Sequence, residues 1–200
     1  MSFDAALRKR LLAALAERII LHADELTALD SAIGDGDHGH NMKRGFEAVL
    51  GSLDAFAEMA LPDMLKAVGT KLVSTVGGAS GPLYGTLFMA LGKALPEQPN
   101  RSQFEAAFAQ GLAAVKARGK SDVGQKTLLD VLAPALTAFA AGADAPALSA
   151  EANSAAEATA PLRATRGRAS FLGERSIGHV DPGARSSALM ISALCEEWTR

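Results

Sequence analysis

No stretch of this sequence alternates apolar and polar side chains with the period of two that a half-buried strand requires. Apolar residues recur instead at helical spacing from one end to the other. Leu7, Leu11, Leu12, Leu15, Ile19 and Ile20 share one face of residues 3–29, which the spacing predicts as a single long amphipathic helix with Asp30 at its C-terminal side. A second helix is expected over 38–56, with Met42, Phe46, Val49 and Leu50 inward. Pro62 suits the first turn of a third, which continues through Leu65, Val68 and Leu72. A glycine-rich break at 76–82 precedes a helix over 83–95, and Ser102-Gln103-Phe104-Glu105 reads as a capping box opening the next. Residues 127–141 read as a helix kinked at Pro134, and the alanine-rich 143–160 as one more. Asp181-Pro182-Gly183 is a turn signature that opens the last helix. The fold class is therefore all-α. With 200 residues, 48% of them hydrophobic, residues 1–200 are expected to form one domain around a sizeable core.

Composition excludes several functions. A net charge of −2 gives no electrostatic footprint for nucleic acid. The single cysteine, Cys195, allows no intramolecular disulfide and fits a reducing compartment; beside Glu196 and Glu197 it reads as packing. Arg8-Lys9-Arg10 precedes an apolar run that Glu17 ends after six residues, too short for a signal sequence. The uncharged run 72–92 is long enough to span a bilayer, but its five glycines and one proline read as buried backbone near a site. The expected location is cytoplasmic, without membrane contact.

Chemistry concentrates in Asp30-Ser31-Ala32-Ile33-Gly34-Asp35-Gly36-Asp37-His38-Gly39-His40-Asn41. Three carboxylates fall within eight residues, separated by glycines, and carboxylates so close resist joint ionisation. Two readings follow: a fully solvated acidic turn, or a loop holding a hard divalent cation. Gly34, Gly36 and Gly39 satisfy G-x-G-x-x-G, yet no strand pattern leads in, and Asp35 and Asp37 would repel a bare pyrophosphate. An EF-hand beginning at Asp35 would need Gly at position six and Glu at twelve, where His40 and Phe46 stand. The loop runs into a helix N-terminus, which attracts anions, so metal and helix end together suit a metal-bridged polyphosphate. Ser80, at the start of another helix, is either an N-cap or a phosphate contact. Gly119-Lys120-Ser121 imitates the end of a P-loop but has Ala114 where the earlier glycine belongs. Arg163, Arg166, Arg168 and Arg175 form either a solvated basic loop or a set of phosphate-facing guanidinium groups.

Three motifs occur in order: Gly34-Asp35-Gly36-Asp37-His38-Gly39, then Gly77-Gly78-Ala79-Ser80-Gly81-Pro82, then Gly173-Glu174-Arg175-Ser176-Ile177-Gly178-His179 with Asp181-Pro182-Gly183. Together, over nearly the whole chain, they resemble the L subunit (DhaL type) of bacterial dihydroxyacetone kinase. The resemblance implies a barrel of about eight antiparallel helices with ADP or ATP held at one end. It implies that Asp30, Asp35 and Asp37 hold two Mg²⁺ ions, and that His38, Gly39, His40, Asn41, Ala79 and Ser80 surround the phosphates. Gly119 and Leu128 would lie near the adenine, and Arg168, Asp181, Pro182 and Gly183 would complete the pocket. His38 would act as a base or as a hydrogen-bonding member of the loop. His40 and Leu128 depart from the family pattern, where an apolar residue and methionine are usual. The implied partners are a K subunit, which holds a small ketose, and a phosphotransferase-system protein that recharges resident ADP from a phosphohistidine. Direct ATP exchange, an erythrulose kinase and a non-catalytic nucleotide-binding module are the alternative readings.

Overall fold

The computed structural model describes residues 3–199. Its elements are α1 (Ala5–Leu21), α2 (Ala23–Ile33), α3 (His38–Leu50), α4 (Leu53–Ala57), α5 (Leu61–Thr75), α6 (Ser80–Ala94), α7 (Arg101–Gly119), α8 (Leu129–Ala140), α9 (Ala145–Glu157), a 3-10 segment (Arg168–Ser176) and α10 (Pro182–Trp198). No strand occurs among the described residues, as the missing period-two pattern requires. Eight helices close a ring through neighbouring contacts: α1 on α3, α3 on α5, then α5 through α10 in succession, and α10 back on α1. The two short extra helices lie against this ring. α4 packs on α1 and α5, while α2 packs on α3, α10 and the 3-10 segment.

The ring encloses one apolar core, in which Leu15, Ile19, Met42, Phe46, Val68, Leu72, Tyr84, Val115 and Leu129 are buried. Burying each large aliphatic side chain stabilises the fold by about 1.5–3 kcal/mol. Where side chains are small, backbones approach instead. A Cβ at Gly69 would lie 2.7 Å from the Gly85 carbonyl, and one at Gly85 would lie 2.7 Å from the Gly69 carbonyl, so α5 and α6 meet across a glycine seam. Ala152, Ala155 and Ala156 of α9 meet Ala184 and Ala188 of α10 in the same manner.

Several helix limits differ from the sequence-based expectation. Residues 3–29 are two helices rather than one, broken at His22 (φ −97°, ψ 14°). The apolar spacing carries no trace of this break, because Leu15, Ile19 and Leu26 enter the same core on both sides of it. Residues 38–56 likewise divide at Gly51 and Ser52, both weaker helix formers than alanine, leaving α3 and the short α4. The capping box opening α7 belongs to Asn100 and Gln103, not to Ser102 and Glu105. Asn100 Oδ1 accepts from Gln103 N, and Gln103 Oε1 accepts from Asn100 N, each at 2.9 Å. Asparagine caps as well as serine, so the box lies two residues earlier than the serine-based pattern placed it. The helix expected over 83–95 begins at Ser80, with Pro82 in its first turn. α8 runs through Pro134 and starts only at Leu129. No helix among the described residues is long and apolar enough to cross a membrane.

Candidate nucleotide and metal site

Asp30 is buried in the last turn of α2. Its Oδ2 accepts hydrogen bonds from the backbone N–H of Asp37 (2.8 Å) and of His38 (3.1 Å). It therefore caps α3 from another helix, and Asp37, the N-terminal flanking residue of α3, makes no capping bond with its own side chain. The remaining first-turn amides of α3, on Gly39 and His40, have no intrahelical acceptor and add to the positive end of the helix dipole. Gly36, at φ +73°, supplies the left-handed residue that bends the loop back. One oxygen from each of Asp30, Asp35 and Asp37 lies within 4.8 Å of the other two. Three anionic oxygens so placed, beside a helix N-terminus that already tolerates negative charge, form a donor set suited to a hard divalent cation.

The second motif comes up against the first. A Cβ at Gly77 would lie 2.6 Å from Asn41 Oδ1 and 2.9 Å from an Arg44 guanidinium nitrogen, so the α5–α6 turn crosses Asn41 at a distance only glycine permits. Arg44 fixes this junction, donating to Asn41 Oδ1 and to the Thr75 carbonyl, each at 2.8 Å. Ser80 does not cap α6. Its hydroxyl is 2.9 Å from His38 Nδ1, while His38 Nε2 is 3.0 Å from Ser186 Oγ in α10. Burial pushes His38 down to about 4, so at neutral pH the imidazole donates through one nitrogen and accepts through the other. Both nitrogens are thus engaged by hydroxyls, which gives His38 the organising role of joining α3, α6 and α10. Tyr84 extends the network, its hydroxyl reaching Ser186 Oγ (2.7 Å), Ser187 Oγ (2.9 Å) and the Gly183 carbonyl (2.9 Å).

The third motif arrives by two routes. Arg168 Nη1 lies 3.1 Å from Asp35 Oδ2, an exposed pair that sets one of the four loop arginines against the acidic cluster. Asp181 caps α10 through Ala184 N (2.7 Å), and burial pushes its carboxyl up to about 7. Pro182 is the first residue of that helix, and Gly183 lies against Leu128, whose amide a Gly183 Cβ would approach to 3.5 Å. The structure thus gathers Asp30, Asp35, Asp37, His38, Asn41, Ser80 and Arg168, and ties Leu128 and Gly183 to them through Tyr84 and Ser186. Ala79 flanks the start of α6 beside Ser80. His40 is exposed on α3. Gly39 faces α2, where a Cβ would stand 1.9 Å from the Ala23 carbonyl, so its side serves helix packing. Gly119 sits apart from the carboxylates, against Leu83 and Ser121. Sequence reasoning passed over Arg44, Tyr84 and Ser186; hydroxyls on the apolar face of the last helix were the available signal for Ser186.

The chain as a whole has counterparts among known proteins. The DAK2 domain model matches residues 32–196. The chain belongs to the DAK2 domain family. It is 41% identical to the PEP-dependent dihydroxyacetone kinase 1, ADP-binding subunit DhaL, of Listeria innocua, over 98% of each chain. Against the PEP-dependent dihydroxyacetone kinase, ADP-binding subunit DhaL, of Escherichia coli K12 it is 42% identical, over 86% of this chain and 87% of that one. The dihydroxyacetone kinase of C. freundii superposes with a TM-score of 0.78 at 29% identity, covering 96% of this family member but only 34% of that kinase. A second structure of the C. freundii enzyme, in complex with AMP-PNP and Mg²⁺, matches with the same TM-score. This member of the family thus spans about a third of the length of that solved kinase.

Proposed function

We propose that this chain is the ADP-binding subunit of a dihydroxyacetone kinase, or of a kinase for a related small ketose. In this reading Asp30, Asp35 and Asp37 would hold two Mg²⁺ ions beside the phosphates of ADP or ATP. The observation that carries it is the convergence of one oxygen from each of these acids within 4.8 Å, at a helix N-terminus, under a loop arginine. The donor set fits: every ligand is a hard oxygen, and Asp30 is held rigidly by two amides. Bound there, the metals would neutralise phosphate charge and orient the transferred group. The chain's own residues bind and orient. The Gly39 and His40 amides, Asn41, Ala79 and Ser80 surround the phosphates; Gly119 and Leu128 border the base; Arg168 and Asp181, Pro182 and Gly183 close the pocket. His38 holds the α3, α6 and α10 walls in register.

The acceptor sugar is held on a separate K subunit, and resident ADP is recharged by a phosphohistidine protein of the phosphotransferase system. The relatives' names support this reading, since four of them are ADP-binding subunits of PEP- or PTS-dependent kinases. A cytoplasmic setting accords with the free, buried thiol of Cys195. The test is nucleotide content. Protein purified and dialysed in Mg²⁺ is denatured, and the released nucleotide is separated by chromatography. The parent chain is expected to release ADP, whereas Asp35→Asn and Asp37→Asn release none at unchanged helicity. Equal retention by both variants would sink the metal assignment, and nucleotide that washes out but rebinds as ATP would favour direct ATP exchange.

A further inference from the structure

Lys126 has an unusual setting. It is 1% exposed and its backbone takes a left-handed φ of +62°, rare outside glycine. Its ammonium donates to three backbone carbonyls, Ala160 (3.2 Å), Leu162 (3.0 Å) and Ser176 (2.7 Å), which uses all of its donors. Those carbonyls come from the two ends of one excursion of the chain, residues 163–176. The same neck is pinned by Ser176 Oγ, which accepts from Ala164 N (2.9 Å) and donates to the Gly173 carbonyl (2.6 Å). Gly178 N closes it further on the Ala160 carbonyl (2.8 Å). Lys126 is itself held in place, because Asp130 at the start of α8 accepts from Gly124 N and Thr127 N on either side of it.

The loop so closed lies over the acidic cluster. Ala164 and Ala169 pack on Ile33, which stands between Asp30 and Asp35 in sequence, and Arg168 pairs with Asp35. We propose that Lys126 is a positioning residue for the nucleotide site: its ammonium closes the neck of the 163–176 loop and so holds Arg168 over the metal-binding carboxylates. The inference rests on the nucleotide reading above. An ammonium suits this task because three carbonyls converging on one point leave room for a compact charge with three donors, and a neutral side chain would leave at least one carbonyl without a partner.

The test is a double-mutant cycle on MgADP affinity, together with amide exchange of the nucleotide-free protein. Lys126→Met and Arg168→Ala are each expected to weaken MgADP binding about tenfold, the size of one lost charge-assisted contact. The double variant should bind no more weakly than the weaker single one, since the lysine acts through the arginine. In Lys126→Met the amides of Ala164, Thr165 and Gly178 should exchange faster, while those of α1 and α5 keep their protection. Leu15→Ala, a cavity variant in the apolar core on α1, reports what lowered stability alone does to affinity. Should Lys126→Met fail to fold, Lys126→Gln retains two donors and is expected to give an intermediate loss with the same non-additivity. Losses that add, or a lysine variant whose affinity matches Leu15→Ala at equal stability, would overturn the proposal. Absence of MgADP binding by the parent chain would instead overturn the nucleotide reading, and the role of Lys126 with it.

Discussion

Four aspartates at this site share one chemistry and differ in surroundings. Asp35 and Asp37 reach solvent, Asp30 is buried but takes two amide hydrogen bonds, and Asp181 is buried at the head of α10. Burial pushes the Asp181 carboxyl to about 7, from an ordinary value of 3.8. A folded-state value above the unfolded one means that the folded chain keeps a proton the unfolded chain has lost. The stability this group contributes is therefore complete below about pH 4 and is lost as pH rises through about 7. Asp181→Asn keeps an oxygen for the Ala184 amide and has no proton to release. Between about pH 5 and pH 8 the melting temperature of the parent should fall relative to the variant by ~3 °C or more. Parallel curves in a pH-resolved thermal melt would show that the Asp181 carboxylate is already ionised throughout. The cluster of Asp30, Asp35 and Asp37 was legible in the sequence because three carboxylates fall within eight residues. The partners of His38 were not. Ser186 lies 148 residues away, and a serine in an apolar helix carries no local sign of what it meets.

Helices were legible as periodicity, and so was the glycine-rich break between α5 and α6; the breaks at His22 and at Gly51 and Ser52 were not, because a break that keeps the same face inward leaves the apolar spacing intact. The consequence is largest where α2 meets α3. The turn at His22 frees α2 to lie beside the start of α3, and Gly39 makes that contact possible: a Cβ there would stand 2.3 Å from Thr27 Oγ1 and 1.9 Å from the Ala23 carbonyl. Gly39→Ala forces the helices apart, and Asp30 then loses its grip on the Asp37 and His38 amides. A stability loss of about 1–3 kcal/mol is expected from overpacking, accompanied by loss of MgADP binding. Gly85→Ala strains the α5–α6 seam, where a Cβ would meet the Gly69 carbonyl at 2.7 Å, and should lower stability over a similar range. Its MgADP affinity should stay that of the parent, because the seam supports the ring rather than the carboxylates. Urea unfolding and calorimetric titration of the two variants separate these outcomes. Matching affinity losses in both would show that the site responds to general stability and not to the α2–α3 crossing.

At the scale of the molecule, the helix ends that meet at the site alternate in polarity. The N-termini of α3, α6, α8 and α10 come together through His38, Ser80, Leu128 and Gly183, while the C-terminal sides of α5 and α7 bring Gly77 and Gly119 alongside. The C-terminal side of α9 joins them, where the Thr159 hydroxyl accepts from Asp181 N. From α3 through α5 to α10, neighbours in the ring therefore run in opposite directions, and the candidate site occupies the end of the ring that collects the N-termini of four of its helices. Beneath it lies the apolar core: Met42, Phe46, Tyr84 and Leu129 are each at most 1% exposed. If the proposed function holds, an acceptor sugar would meet the nucleotide from the solvent side of this end of the ring, above these buried side chains. The length relation agrees, since this chain covers 34% of the C. freundii kinase and leaves two thirds of that chain for other work. With MgATP and dihydroxyacetone, the chain alone is expected to form no dihydroxyacetone phosphate above the enzyme-free rate. Adding an acceptor-holding subunit should start turnover, and Asp35→Asn should abolish it while leaving the assembled complex intact on size-exclusion chromatography. Product formed by the chain alone would place the acceptor site within the ring and refute the division of labour.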